Sequence, residues 1–152
     1  MNDNATAPIS KWSDLGVRSA SALILIPAVL LDIWLGGTWF ELFMAFLGLL
    51  MAHEWTNIVH QRSSTQFALS AAAVLCAAFL PKEIGVLLTL AILCGVTAIG
   101  LVANAYRDRA KNLFAFVGVP YVALPVLALV LLRAHSVWGV HAIMWVMLVV
   151  WA

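Results

Sequence analysis

From Ile84 to Ala105 the chain carries no charged residue. A run of that kind leaves few choices. Roughly 20 apolar residues in a row match the thickness of a bilayer's hydrocarbon core. Inside that core the backbone must satisfy its own hydrogen bonds, which makes the run a helix. Thr97, Gly100 and Asn104 recur along it at helical spacing.

The same pattern recurs on both sides. Ser19 to Leu35 is read as a first span, with Pro27 inside it and a kink expected there. Gly36-Gly37 makes a tight turn, and Trp39 to Val59 is the second span. His60 to Gln66 is a polar loop, and Phe67 to Leu80 is a third span, the shortest, which either starts within that loop or sits in a thinned region of the bilayer. Its Ala68, Ala72 and Cys76, and its Ala73 and Ala77, recur every four residues, which allows close helix packing. Pro81-Lys82-Glu83 is read as a turn into the fourth span. Leu113 to Leu132 is the fifth, its regularity broken by Pro120 and Pro125.

The last run, Gly139 to Ala152, is apolar but falls short of a full crossing. No Lys, Arg, Gly or Pro closes it, so it is read as a truncated sixth span. The expected fold is therefore an all-α, polytopic transmembrane bundle of five full spans plus that partial one. Residues 1–17 form a cytoplasmic N-terminal tail with a short interfacial helix near Trp12. Residues 18–152 form a transmembrane domain, incomplete at its C-terminus.

Composition agrees. Hydrophobic residues make up 64% and charged residues 10%, against about 25% charged in soluble domains; mean hydropathy is +1.03. A net charge of +1 gives no reason to expect nucleic-acid binding. Cys76 and Cys94 lack metal-ligand spacing and read as small packing residues. The start is too polar for a signal peptide.

Basic residues partition between alternate loops. One side holds Lys11, Arg18, Arg62, Arg107, Arg109 and Lys111, and the other Lys82 and Arg133. Lys and Arg are retained on the cytoplasmic side, which puts the N-terminus there.

His53-Glu54 begins like a zinc-protease HExxH, but Asn57 stands where the second His is needed. His53, Asn57 and His60 share one helical face with Glu54 beside it. Ionisable residues within a span are functional candidates, and interfacial anchoring is the plainer account. His53, Glu54, Asn57 and Asn104 are the buried polar candidates. Magnesium-assisted nucleotidyl chemistry needs oxygen ligands gathered in one pocket. Asp32, Glu41 and Glu83 fall on the other side, Asp3 and Asp14 in the tail, and Asp108 between Arg107 and Arg109. That leaves Glu54, and no metal site. The Arg107–Lys111 cluster reads as ordinary topology marking, with anionic lipid binding as the alternative.

Several separated pieces, in order, resemble phosphatidate cytidylyltransferases (CDP-diacylglycerol synthases). They are Arg18-Ser-Ala-Ser-Ala-Leu-Ile-Leu-Ile-Pro27, Leu35-Gly-Gly-Thr-Trp-Phe40, Glu54-Trp55, Gly118-Val-Pro-Tyr-Val-Ala-Leu-Pro125 and Trp145-Val-Met-Leu-Val-Val-Trp-Ala152. The resemblance implies a bacterial inner-membrane, multi-pass enzyme of phospholipid biosynthesis. Such an enzyme joins CTP to phosphatidate, releases pyrophosphate, depends on Mg2+ and forms a homodimer. The family's Lys-, Arg-, Asp- and Gly-rich motif lies near its C-terminus and is not found here. No catalytic residue carries over to this sequence, and the chain alone is expected to be inactive and to bind no Mg2+. Two other classes compete. In a small multi-span transporter or channel subunit, His53, Glu54, Asn57 and Asn104 would line a polar path. A non-catalytic membrane assembly factor is the other.

Overall fold

The computed structural model describes residues 11–59, 64–103 and 109–151, with side chains from Leu23 onwards except at 103, 109–113, 115 and 151. Six helices are described: α1 (Lys11–Leu35), α2 (Gly37–Val59), α3 (Ser64–Ile84), α4 (Val86–Ala103), α5 (Arg109–Ala134) and α6 (Gly139–Trp151). No strand occurs among the described residues.

Three helical segments are long and apolar enough to cross a membrane: Gly37–Val59, Ser64–Ile84 and Phe116–Ala134. The apolar stretches Leu23–Leu35, Val86–Val102 and Gly139–Val150 are shorter. α3 and α5 sit at the centre. α3 packs on α2, α4 and α5, and α5 packs on α2, α3, α4 and α6. α1 touches only α2 and α6 among the recorded helix pairs.

Small side chains set the packing, because apolar helices in lipid gain little from hiding apolar surface and approach through small residues instead. Ala45 and Ala52 of α2, Ala73, Ala77 and Ala78 of α3, and Ala123 of α5 are all buried. Gly48 admits a close approach of three helices: a Cβ there would stand 2.6 Å from Val74 Cγ1 and 2.8 Å from Val126 Cγ2. Of the two expected alanine series on α3, Ala73 and Ala77 make the contact. Ala68 and Ala72 are exposed and Cys76 is half-buried, because one α3 face, running through Gln66, Ser70, Ala73, Val74 and Ala77, meets its neighbours.

Large apolar side chains face outward, including Leu23, Ile58, Leu87 and Val150. Buried hydroxyls bond within their own helix. Thr56 donates to Ala52 O at 2.7 Å, Thr97 to Leu93 O at 2.7 Å and Thr89 to Gly85 O at 2.9 Å. This local back-bonding is how a Ser or Thr is satisfied inside a helix.

Several boundaries differ from expectation. α1 is already helical at Lys11, so the second half of the tail continues the first span and is no separate interfacial helix; residues 1–10 lie outside the described residues. The third helix is not short. It starts at Ser64 and runs through Pro81 to Ile84, and the turn falls at Gly85, whose φ of 83° suits glycine. Pro81 still accepts from Gly85 N at 3.1 Å, so its missing N–H ends no helix. Pro120 and Pro125 likewise lie inside a continuous α5, and Pro27 inside a continuous α1. The Gly36-Gly37 turn is as expected, with φ of 61° and 55°.

Candidate functional site

Asp32, Glu41, Lys82 and Arg133 gather at one end of the bundle, tied by Lys82 Nζ to Glu41 Oε2 at 3.9 Å and by Arg133 Nε to Ile33 O at 2.8 Å. The opposite end carries the sequence candidates. There α2 finishes at Val59 and α3 begins at Ser64, so the last turn of one and the first turn of the other lie together.

The face of α2 that meets the bundle runs through Glu41, Met44, Ala45, Gly48, Ala52 and Thr56. His53 and Glu54 follow Ala52 directly and are rotated off this face. Both are exposed, which corrects the expectation that they are buried. Asn57 is half-buried, while His60 and Asn104 lie outside the described residues. His53 meets the edge of Phe67 on α3, with ring centroids 5.9 Å apart.

The polar groups buried at this end are others: Thr56, Gln66 and Ser70. Gln66 is 2% exposed and its Nε2 has no hydrogen-bond partner among the described residues. A buried donor without a partner costs about 1–3 kcal/mol. Ser70 sits one turn further along the same face. That Gln66-Ser70-Ala73-Ala77 spacing was the available signal. The polar stretch before Phe67 masks it, because Gln66 there reads as loop.

Trp55 organises the junction with α5. Its indole stacks at a tilt on Tyr121, with centroids 4.9 Å apart and planes at 36°. It lies directly on Gly118, where any Cβ would collide with the indole nitrogen. Two separated sequence pieces, Glu54-Trp55 and Gly118-Val-Pro-Tyr121, thus meet in one contact. Trp55 Nε1 is buried and has no hydrogen-bond partner among the described residues. Beside it, Leu47, Leu50, Met51, Ile58 and Tyr121 line a groove of about 480 Å³, with Glu54 on its edge. An apolar groove with one carboxylate among its lining residues suits an amphiphile with a polar head.

Glu54 is the one carboxylate at this end among the described side chains, and no three His, Cys, Asp or Glu come together among the described residues. Cys76 and Cys94 are free thiols.

The sequence profile of the cytidylyltransferase family matches residues 16–152. Phosphatidate cytidylyltransferases of Brucella abortus, Brucella suis and Brucella melitensis are each 31% identical to it over 142 residues, covering 92% of this chain and 52% of the relative. The chain therefore spans about half the length of the curated relatives it matches. No solved structure matches it significantly. The match runs through every described helix, from α1 to α6, and the chain belongs to the cytidylyltransferase family.

Proposed function

We infer that this chain is the N-terminal membrane portion of a phosphatidate cytidylyltransferase. One observation carries the reading: family similarity extends along residues 16–152, and relatives carrying that name align over most of this chain and half of their own. In the reaction, a phosphate oxygen of phosphatidate attacks the α-phosphorus of CTP. The bond to the β-phosphate oxygen breaks, and pyrophosphate leaves with CDP-diacylglycerol formed. Electrostatic stabilisation and metal positioning supply most of the acceleration in such a transfer. The residues that hold Mg2+ and the triphosphate belong to sequence outside this chain.

This portion contributes membrane walls and a lipid path. It crosses the bacterial inner membrane five times in full and enters a sixth crossing, with its N-terminus and the Val59–Ser64 end cytoplasmic. A homodimer is part of the same proposal. The groove beside Trp55 takes an acyl chain of phosphatidate and leaves the phosphate near the polar end. In the transporter or channel alternative, His53 and Glu54 would line an interior path, and their exposure on α2 speaks against it.

The test is CTP-dependent conversion of phosphatidate to CDP-diacylglycerol by the longer protein that contains this chain, in phosphatidate vesicles with magnesium. Absence of labelled CDP-diacylglycerol sinks the reading.

A further inference from the structure

At the end away from Trp55 lies a cavity of about 380 Å³ between α2, α3, α5 and the α5–α6 turn. Its chemistry is of both signs. Glu41 lines it with only 12% of its side chain exposed, and Lys82, 59% exposed, stands 3.9 Å away. Arg133 and His135 line it from the other side.

Arg133 spends donors on the Ile33 and Trp34 carbonyls. A guanidinium has five N–H donors, so others remain, and the two carbonyls it meets are neutral. His135 Nδ1 accepts from Trp138 N at 3.3 Å, which leaves the neutral ring's proton on Nε2 as a donor. Ser136 adds a hydroxyl at the same rim. The floor is apolar, formed by Phe40, Val130 and Leu131. Two further carboxylates stand outside the lining: Asp32 of α1, near Arg133, and the exposed Glu83 of α3.

We propose that this cavity binds the headgroup of an aminophospholipid, with the phosphodiester toward Lys82, Arg133 and His135 and the ammonium on Glu41. Charge excludes the simpler ligands. A lone anion would sit against Glu41, with Asp32 and Glu83 behind. A lone amine would meet Lys82 and Arg133. A group carrying both signs satisfies both walls, and charge-assisted hydrogen bonds make each half strong. Depth agrees. Trp34, Trp39 and Trp138 are 73%, 67% and 65% exposed around this end, and tryptophan belts lie at headgroup level. The site is independent of the transferase reading and lies at the opposite end of the helices from the Trp55 groove.

The test titrates the purified chain in detergent with short-chain phosphatidylethanolamine, phosphatidylglycerol, phosphatidylcholine and inorganic phosphate, read by the thermal midpoint of tryptophan fluorescence. Phosphatidylethanolamine raises the midpoint. Phosphatidylglycerol has no amine and phosphatidylcholine no N–H, and each binds roughly tenfold more weakly, the worth of a charged hydrogen bond. Inorganic phosphate has no effect. Glu41→Gln abolishes the preference for ethanolamine. Lys82→Met, at a position with 59% of its side chain exposed, weakens phosphatidylethanolamine roughly tenfold and carries the test if Glu41→Gln fails to fold. Equal binding of phosphatidylethanolamine and phosphatidylglycerol, a preference that survives Glu41→Gln, unchanged affinity in Lys82→Met, or an equal shift from inorganic phosphate overturns the proposal.

Discussion

Arg133 reaches across from the end of α5 and donates from Nε to the carbonyl oxygen of Ile33, 2.8 Å away on α1. Its Nη2 also approaches Trp34 O at 3.4 Å. The last carbonyls of a helix have no intrahelical partner, and a cation at that terminus is favoured by the helix dipole. α1 otherwise buries little; Ile33 is its one described side chain in the core. One side chain thus fastens the most loosely attached helix to the centre of the bundle. Gly36 makes this possible, since any Cβ there would collide with the Arg133 guanidinium.

Arg133→Met is therefore expected to lower stability by about 1.5–3 kcal/mol, the value of hydrogen bonds to a charged donor. Unfolding in mixed detergent micelles reads the loss. Gly36→Ala reproduces it in part, because it displaces the guanidinium and strains a φ of 61°. Wild-type stability in both variants would show that α1 is held by something else.

Gly48 is expected to tolerate nothing larger without repacking. Its Cβ would press on Val74 of α3 and Val126 of α5 together. Gly48→Val should cost about 1–3 kcal/mol, the usual range for overpacking. Val74→Ala in the same chain should recover part of that, since it removes the atoms in the way. A double variant no better than the single would mean that the damage is not steric.

Gly118→Val should move Trp55 off its seat, because the indole occupies the space of the new side chain. Tyr121 then loses its stacking partner. In a chain whose other tryptophans are replaced by phenylalanine, the emission of Trp55 should shift toward that of a water-exposed indole. An unchanged spectrum would contradict the packing described here.

Run length and polar breaks were enough to read the helices and their order, because a bilayer demands long apolar segments. The end of α3 was not legible. Pro81 looks like a turn, yet proline at the close of a helix costs little when the next glycine can take a positive φ, as Gly85 does. Side-chain chemistry singles out the polar candidates, and His53 and Glu54 are exposed because burial on α2 follows Ala45, Gly48 and Ala52. Gln66 and the Trp55–Gly118 contact depend on which helices neighbour one another, and spacing along one helix does not reveal that.

Orientation is open to a direct measurement. The structure puts Lys82 and Arg133 at one end, with Glu41 and Ile33; Arg107 and Asp108 lie outside the described residues. If the N-terminus is cytoplasmic, Lys82→Cys in a chain lacking Cys76 and Cys94 should react with an impermeant maleimide in intact cells. Asn112→Cys should react only after the cells are opened. The reverse pattern would invert the topology.

The activity prediction follows from what nucleotidyl transfer requires. Four negative charges on the triphosphate must be brought beside a lipid phosphate and held in line with the α-phosphorus. Magnesium does this with substrate phosphates, one or two protein carboxylates and several retained waters around it. At the proposed cytoplasmic end, Glu54 is the one carboxylate among the described side chains, exposed at the edge of an apolar groove. We therefore expect the 152-residue chain, in vesicles with CTP, phosphatidate and magnesium, to yield no CDP-diacylglycerol above background. The longer protein should turn over. Glu54→Gln in that protein should leave kcat within a few-fold, since Glu54 is exposed beside apolar side chains rather than grouped with other oxygen ligands. Turnover by the short chain would place catalytic groups inside it, and Glu54 and Asp108 would then be the first residues to replace.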